Sequence, residues 1–297
     1  MNAAGAPEAA AAEMGKWYRG VPGEQVEALR RFRTEHPYRH VMVSGARWEY
    51  LEAGEGEQVL VLLPGALGVG EISWKVITRL GRKRRVVCPS YAPLPTAAEL
   101  VDGIAELLTH LGVEASAMLG GSYGGYVAQL YVRRHPQSLD KLVVSHAGPP
   151  DAERGKELER WIARLYRMPM ALLRAVVKRS LSALLPEEHP EVALVEAQVN
   201  EILATRLSKE DVISMYVRAV DLFTNYTFTP HDLDDWAGKM LLIMSDNDPS
   251  TPAEAREEMR RLYPQAQVYL FSGTGHVSSL LRQQRYLAVV EEFLEGE

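Results

Sequence analysis

The chain has 297 residues, 46% of them apolar, with a net charge of −6 and one cysteine. That much apolar material fits one large α/β domain with an insertion better than two equal domains. The acidic balance, without a basic cluster beside aromatic residues, argues against a nucleic-acid partner, and the lone Cys88 excludes an internal disulfide or a cysteine-built metal cluster.

The N-terminal run MNAAGAPEAAAAEMGK has neither a basic n-region nor a hydrophobic h-region, so it does not read as a secretory signal. Residues 1–16 read instead as a disordered tail, with nothing apolar enough to anchor them. No apolar run approaches the roughly 18 residues of a membrane span, and the expected location is the cytoplasm. GEQVEALRRFRTEHP then predicts a short helix ending before Pro37. The alternating segments HVMVSG and RWEYLEAG, joined at Gly45, predict an antiparallel hairpin.

QVLVLLPG carries a continuous apolar run, Val59 to Leu63, that suits a central strand covered on both faces. EISWKVITRL reads as a helix, GRKRR at Gly81 to Arg85 as its solvated end, and RRVVCP as a strand in which Cys88 is a small buried hydrophobe. TAAELVDGIAELLTHLG is an amphipathic helix with Thr96 as its cap and Glu99 completing a capping box. Such alternation of strands and helices implies right-handed crossovers onto a mainly parallel sheet.

AMLGGSYGGYVAQLYVRR follows, a short strand at Ala117 to Leu119, a glycine-crowded turn and a helix from about Tyr123. Gly120, Ser122 and Gly124 fit G-x-S-x-G, in which a sharp strand-to-helix turn lifts a serine hydroxyl above the sheet. DKLVVSHAG is the next buried strand. From Pro149 to Gly238 the chain shows helical periodicity and no strand, so 149–238 reads as a helical cap inserted into a core formed by 17–148 and 239–297. Its Trp161, Tyr166, Met168, Met170, Met215, Tyr216 and Phe223 are expected to pack, with part of the set forming the roof of a pocket. KMLLIMSD, a helix over Ala253 to Tyr263, QVYLF and a final helix over Ser279 to Glu295 restore the alternation.

A serine hydroxyl needs a base to take its proton and a third group to orient that base. The chain supplies them in the order Ser122, Asp248, His276. Asp248 lies further beyond its strand than Asp246 and is biased toward extended backbone by Pro249, which leaves Asp246 as a turn residue. His276 sits in the small-residue loop FSGTGHVSS, where one ring nitrogen can reach the serine and the other the aspartate. His146, just after KLVVS, is the rival base and otherwise a pocket-wall residue or simply a satisfied polar group. The oxyanion requires two donors. The backbone N–H of Tyr123 is one, and the PGALG turn offers Ala66, with Leu67 the near alternative and a candidate pocket residue. No His/Cys/carboxylate cluster with ligand spacing appears, so neither a metal nor a cofactor is expected.

With these residues in place, the chain resembles the α/β-hydrolase-fold superfamily with a helical cap, over nearly everything from Trp17 to Phe293. Within it the chain is similar to maspardin-like proteins in WYRG, QVLVLLPG, LTHLGV, LGGSYGGYVAQ and AREEMRRLYPQAQ. The superfamily resemblance implies a cofactor-free serine hydrolase acting on a small-molecule ester. The maspardin-like resemblance implies a non-catalytic interaction protein. Keeping Ser122, Asp248 and His276 together departs from the latter, and Pro64-Gly65 stands where the superfamily often has His-Gly. The same triad also serves thioester, amide and carbon–carbon bond hydrolysis and cofactor-free peroxidation, and fold does not choose among them.

Overall fold

The computed structural model describes residues 15–296. The tail expected over 1–16 falls outside them except for Gly15 and Lys16, which are helical together with Trp17. Helix α1 (Gly23–Glu35) is followed by β1 (Arg39–Val43) and β2 (Ala46–Ala53). The hairpin between them turns at Ser44 and Gly45, both with positive φ (48° and 79°), the pairing that suits a type I′ turn. Strands β3 (Val59–Leu63), β4 (Arg85–Ser90), β5 (Ser116–Gly121), β6 (Leu139–Ser145), β7 (Lys239–Ser245) and β8 (Gln267–Phe271) complete one eight-stranded sheet. The order is β1-β2-β4-β3-β5-β6-β7-β8, antiparallel from β1 to β4 and parallel thereafter.

Side chains alternate across a strand, and β3 shows what that achieves in a fully buried one. Val59, Val61 and Leu63 face a core shared with α3 (Ala97–His110), α4 (Tyr123–Arg134) and α9 (Ala253–Leu262), while Leu60 and Leu62 face a second core. That second core is closed by α1, α2 (Trp74–Leu80) and α11 (Gln283–Glu295). The result is helices on both faces of a mainly parallel sheet. Thr96 caps α3 as expected, accepting from the Glu99 N–H while the Glu99 carboxylate returns a bond to the Thr96 N–H. Cys88 is fully buried in the second core.

Between β6 and β7 lie α5 (Ala152–Arg167), α6 (Met170–Ser182), α7 (Val192–Thr205) and α8 (Lys209–Asn225). The helical periodicity expected from Pro149 onward is broken at Met168-Pro169, because proline cannot continue a helix and pushes the preceding residue to extended backbone (Met168 ψ 133°). The final helix is likewise interrupted at Arg282, which separates α10 (Ser278–Leu281) from α11. Leu165, Leu173, Val177, Val199, Ile202, Leu203, Val212 and Ile213 give the inserted helices their own apolar cluster, and Leu67 and Val69 join it from the turn after β3. The insertion is thereby packed on the loop that flanks Ser122. Arg33 of α1 adds a polar tie, bonding both Glu71 and Glu201 of α7.

The GRKRR run is only in part the solvated helix end expected of it: Arg82 and Lys83 are exposed just beyond α2, but the rest of the run is drawn into the fold. Arg84 is 4% exposed, Lys83 pairs with Glu291 and Glu295, and Arg85 pairs with Glu52. Carboxylates distant in sequence draw these cations onto the protein surface, which a local charge pattern does not reveal. No helix among the described residues is long and apolar enough to cross a membrane.

Candidate active site

Ser122 sits between β5 and α4 with φ 54° and ψ −124°, a region sparsely allowed for a residue with a Cβ and costing of order 1–3 kcal/mol. The flanking glycines explain how the turn closes. A Cβ on Gly124 would lie 2.5 Å from the Leu63 carbonyl oxygen and 2.7 Å from that of Pro64, and one on Gly120 would lie 2.2 Å from the Gly124 oxygen. The helix start is thus pressed against the end of β3. Gly124→Ala is expected to cost about 3 kcal/mol of stability, read as a lowered urea midpoint; an unchanged midpoint would show that the turn relaxes freely. The Ser122 backbone N–H donates to the Ser145 carbonyl at 2.9 Å, tying the turn to the end of β6.

The hydroxyl of Ser122 lies 2.9 Å from His276 Nε2, and His276 Nδ1 lies 2.9 and 3.1 Å from the two oxygens of Asp248. An ionised carboxylate only accepts, so Nδ1 carries the proton and Nε2 of the neutral ring is free to accept from Ser122 Oγ–H. Asp248 is 2% exposed. Burial by itself raises its pKa, but hydrogen bonds from His146, His276 and the Ser250 N–H overcome that and hold the carboxyl far below its usual range. Asp246, the alternative acid, faces elsewhere: it accepts from Ser272 Oγ and the Gly273 N–H, while Asn247 Oδ1 accepts from the Gly275 N–H. These bonds clamp the loop that presents His276.

His146 is more than the pocket-wall residue expected of it. Its Nδ1 lies 3.0 Å from Asp248 Oδ2, so two imidazoles share one carboxylate, with their rings 5.6 Å apart edge to face. Burial pushes the His146 pKa down, partly opposed by the bond to Asp248. The available signal was its place after a strand adjoining β5, but the shared aspartate depends on the fold bringing β6 beside β7.

His146, Asp248 and His276 each offer one donor atom within 4.8 Å of the others, a grouping that could hold a metal ion. With both Nδ1–H groups directed at the carboxylate, those nitrogens have no lone pair to give a cation in this protonation state.

Tyr123 is the first residue of α4, where helix N–H groups lack intrahelical partners. The PGALG turn lies alongside: a Cβ on Gly65 would stand 3.7 Å from that of Ser122, and Tyr91 Oη–H donates to the Pro64 carbonyl at 2.8 Å. Ala66 and Leu67 line an apolar cavity of about 190 Å³ that reaches Ser122 and His276 and is walled by Ile72, Leu181, Leu184, Leu185, Val195 and Val199. A second cavity of about 280 Å³ meets the first at Gly65, Ser122 and His276, with His146, Trp74, Gln198 and Tyr286 among its lining residues.

Of the aromatic and methionine residues expected to pack, with part of the set as a roof, none lines either cavity. Phe223 is buried in the core, Met168, Met170 and Tyr216 pack on the inserted cluster, and Met215 packs against the main core. Trp161 and Tyr166 are 53% and 57% exposed. The wall comes instead from aliphatic residues on α6, α7 and their connecting loop, which periodicity alone does not separate from ordinary core.

The sequence model of a family described as alpha/beta hydrolase fold matches residues 58–283. Among curated proteins, the sn-1-specific diacylglycerol lipase ABHD11 of Mus musculus is 24% identical over 63% of this chain, an alignment spanning 62% of that protein's length. Maspardin of Mus musculus is 25% identical over 79% of this chain and 76% of its own. Among solved structures, a thermophilic esterase from Thermogutta terrifontis superposes with a TM-score of 0.70 at 21% identity, covering 86% of this chain and 97% of that one.

Proposed function

The chain belongs to the alpha/beta hydrolase fold family, its match running from residue 58 to residue 283, and we propose that within it the protein is a cofactor-independent serine hydrolase of carboxylic esters. The observation that carries this reading is the continuous hydrogen-bonded chain from Ser122 Oγ through His276 to Asp248. An interaction protein of the maspardin-like kind needs no such chain, nor a strained serine at φ 54°.

Ser122 attacks the ester carbonyl as His276 Nε2 takes its proton, and Asp248 stabilises the imidazolium that forms. The N–H groups of Ala66 and Tyr123 receive the oxyanion. Collapse of the tetrahedral intermediate breaks the ester C–O bond, and His276 returns the proton to the departing alcohol. Water then attacks the acyl-enzyme with His276 again as base, releasing the acid and restoring Ser122.

The apolar cavity beside Ala66 and Leu67 suits the acyl chain. Each buried methylene contributes about 0.8 kcal/mol, so lengthening 4-nitrophenyl acetate to the butanoate is expected to raise kcat/KM about tenfold. Leu181→Trp, which fills the cavity, should reduce that gain. Equal rates on the two esters would remove the acyl chain from this cavity.

A further inference from the structure

His146 has one ring nitrogen accounted for and one that is not. It ends the strand region of β6 with φ 52°, and its backbone N–H donates to the Ile243 carbonyl at 2.9 Å. Its side chain is 5% exposed. Because Nδ1 faces an acceptor-only carboxylate at 3.0 Å, Nδ1 carries the proton and the opposite nitrogen, Nε2, is left as a lone-pair acceptor. Burial favours the neutral ring, consistent with that assignment. Nε2 is buried and has no hydrogen-bond partner among the described residues, although buried polar groups are nearly always paired and leaving one unmet is costly.

The placement of this unmet acceptor gives it a use. His146 lines one of the two cavities that Ser122 and His276 share, and it does not line the apolar cavity beside Ala66 and Leu67. We propose that His146 Nε2 is a specificity-determining acceptor that binds a hydroxyl or N–H donor on the substrate, so that the preferred substrates are esters carrying a hydrogen-bond donor a few atoms from the scissile carbonyl. This rests on the reading of Ser122, His276 and Asp248 as the reacting group. A site built around an acceptor rejects the analogue that leaves it unpaired more strongly than a hydrophobic pocket rejects a missing methylene.

Two matched ester pairs test the proposal: 4-nitrophenyl butanoate against its 3-hydroxybutanoate, and propyl butanoate against glyceryl monobutanoate. Wild type is expected to favour the hydroxylated member of at least one pair by roughly tenfold or more in kcat/KM. The discriminating variant is His146→Asn. Its amide N–H can replace the Nδ1–H bond to Asp248, it has no acceptor where Nε2 stood, and asparagine tolerates positive φ.

In His146→Asn the ratio within the favoured pair should fall to about one. Being internal to each enzyme preparation, the ratio does not depend on how far absolute rates move, and fluorophosphonate labelling reports the fraction of protein with a working site. Turnover by wild type with a ratio near one in both pairs overturns the proposal and leaves the hydrolase reading standing. A preference that survives in His146→Asn also overturns it. If wild type neither labels nor turns over any ester, both readings fall.

Discussion

Replacing Ser122 with alanine is expected to lower kcat on aryl esters by about four to six orders of magnitude, leaving a small residual rate from the remaining oxyanion donors and substrate binding. The loss should not come from misfolding. Ser122 Oγ bonds only His276 among the described residues, and alanine bears the same φ 54° strain as serine. A further substitution separates strain from chemistry. Ser122→Gly should be equally inactive yet more stable than Ser122→Ala by about 1 kcal/mol, because glycine accepts positive φ without a Cβ penalty. Thermal unfolding of the two variants beside ester turnover measures both effects. An active Ser122→Ala would remove the serine from the chemistry altogether.

Asp248→Asn should cost about 10⁴-fold in kcat, because an asparagine can donate to Nδ1 and so favours the wrong imidazole tautomer. It should also destabilise the fold, as two buried imidazole N–H groups lose a charged acceptor, by about 3 kcal/mol near neutral pH. The pH dependence has a definite sign. The folded-state pKa of Asp248 is depressed well below its unfolded value. Its contribution is therefore fully present above about pH 3.9 and is lost as the pH falls from there through the folded pKa. The stability gap between wild type and Asp248→Asn should accordingly narrow below about pH 4. A gap that stays constant to low pH would mean that the carboxylate is not the stabilised species.

The parts of the site that sequence made legible are those fixed by local sterics and strand order. Gly120 and Gly124 are dictated by backbone contacts of 2.2 and 2.5 Å that no Cβ survives, so they mark the turn in any reading of the chain. Asp248 and His276 follow β7 and β8, and parallel neighbours deliver their terminal loops to one edge of the sheet. What local pattern did not reveal depends on pairings distant in sequence. His146 and Asp248 are 102 positions apart, and their contact requires β6 to lie beside β7. The burial of Arg84 and the pairing of Lys83 and Arg85 with acids on α11 and β2 are of the same kind. In the insertion, residues such as Leu181 and Val199 have the same apolar pattern whether they face the pocket or the core, and only the crossing of α6 and α7 near Ser122 decides which.

We propose Ser122 as the activated nucleophile of this site. Its most direct test is intact-mass and peptide-mass analysis after reaction with a fluorophosphonate, which acylating serines attack at phosphorus with loss of fluoride. One adduct per chain is expected, located on the peptide containing Ser122, absent from Ser122→Ala and strongly slowed in Asp248→Asn. An unmodified wild-type protein, or an adduct on any other residue, would contradict the assignment.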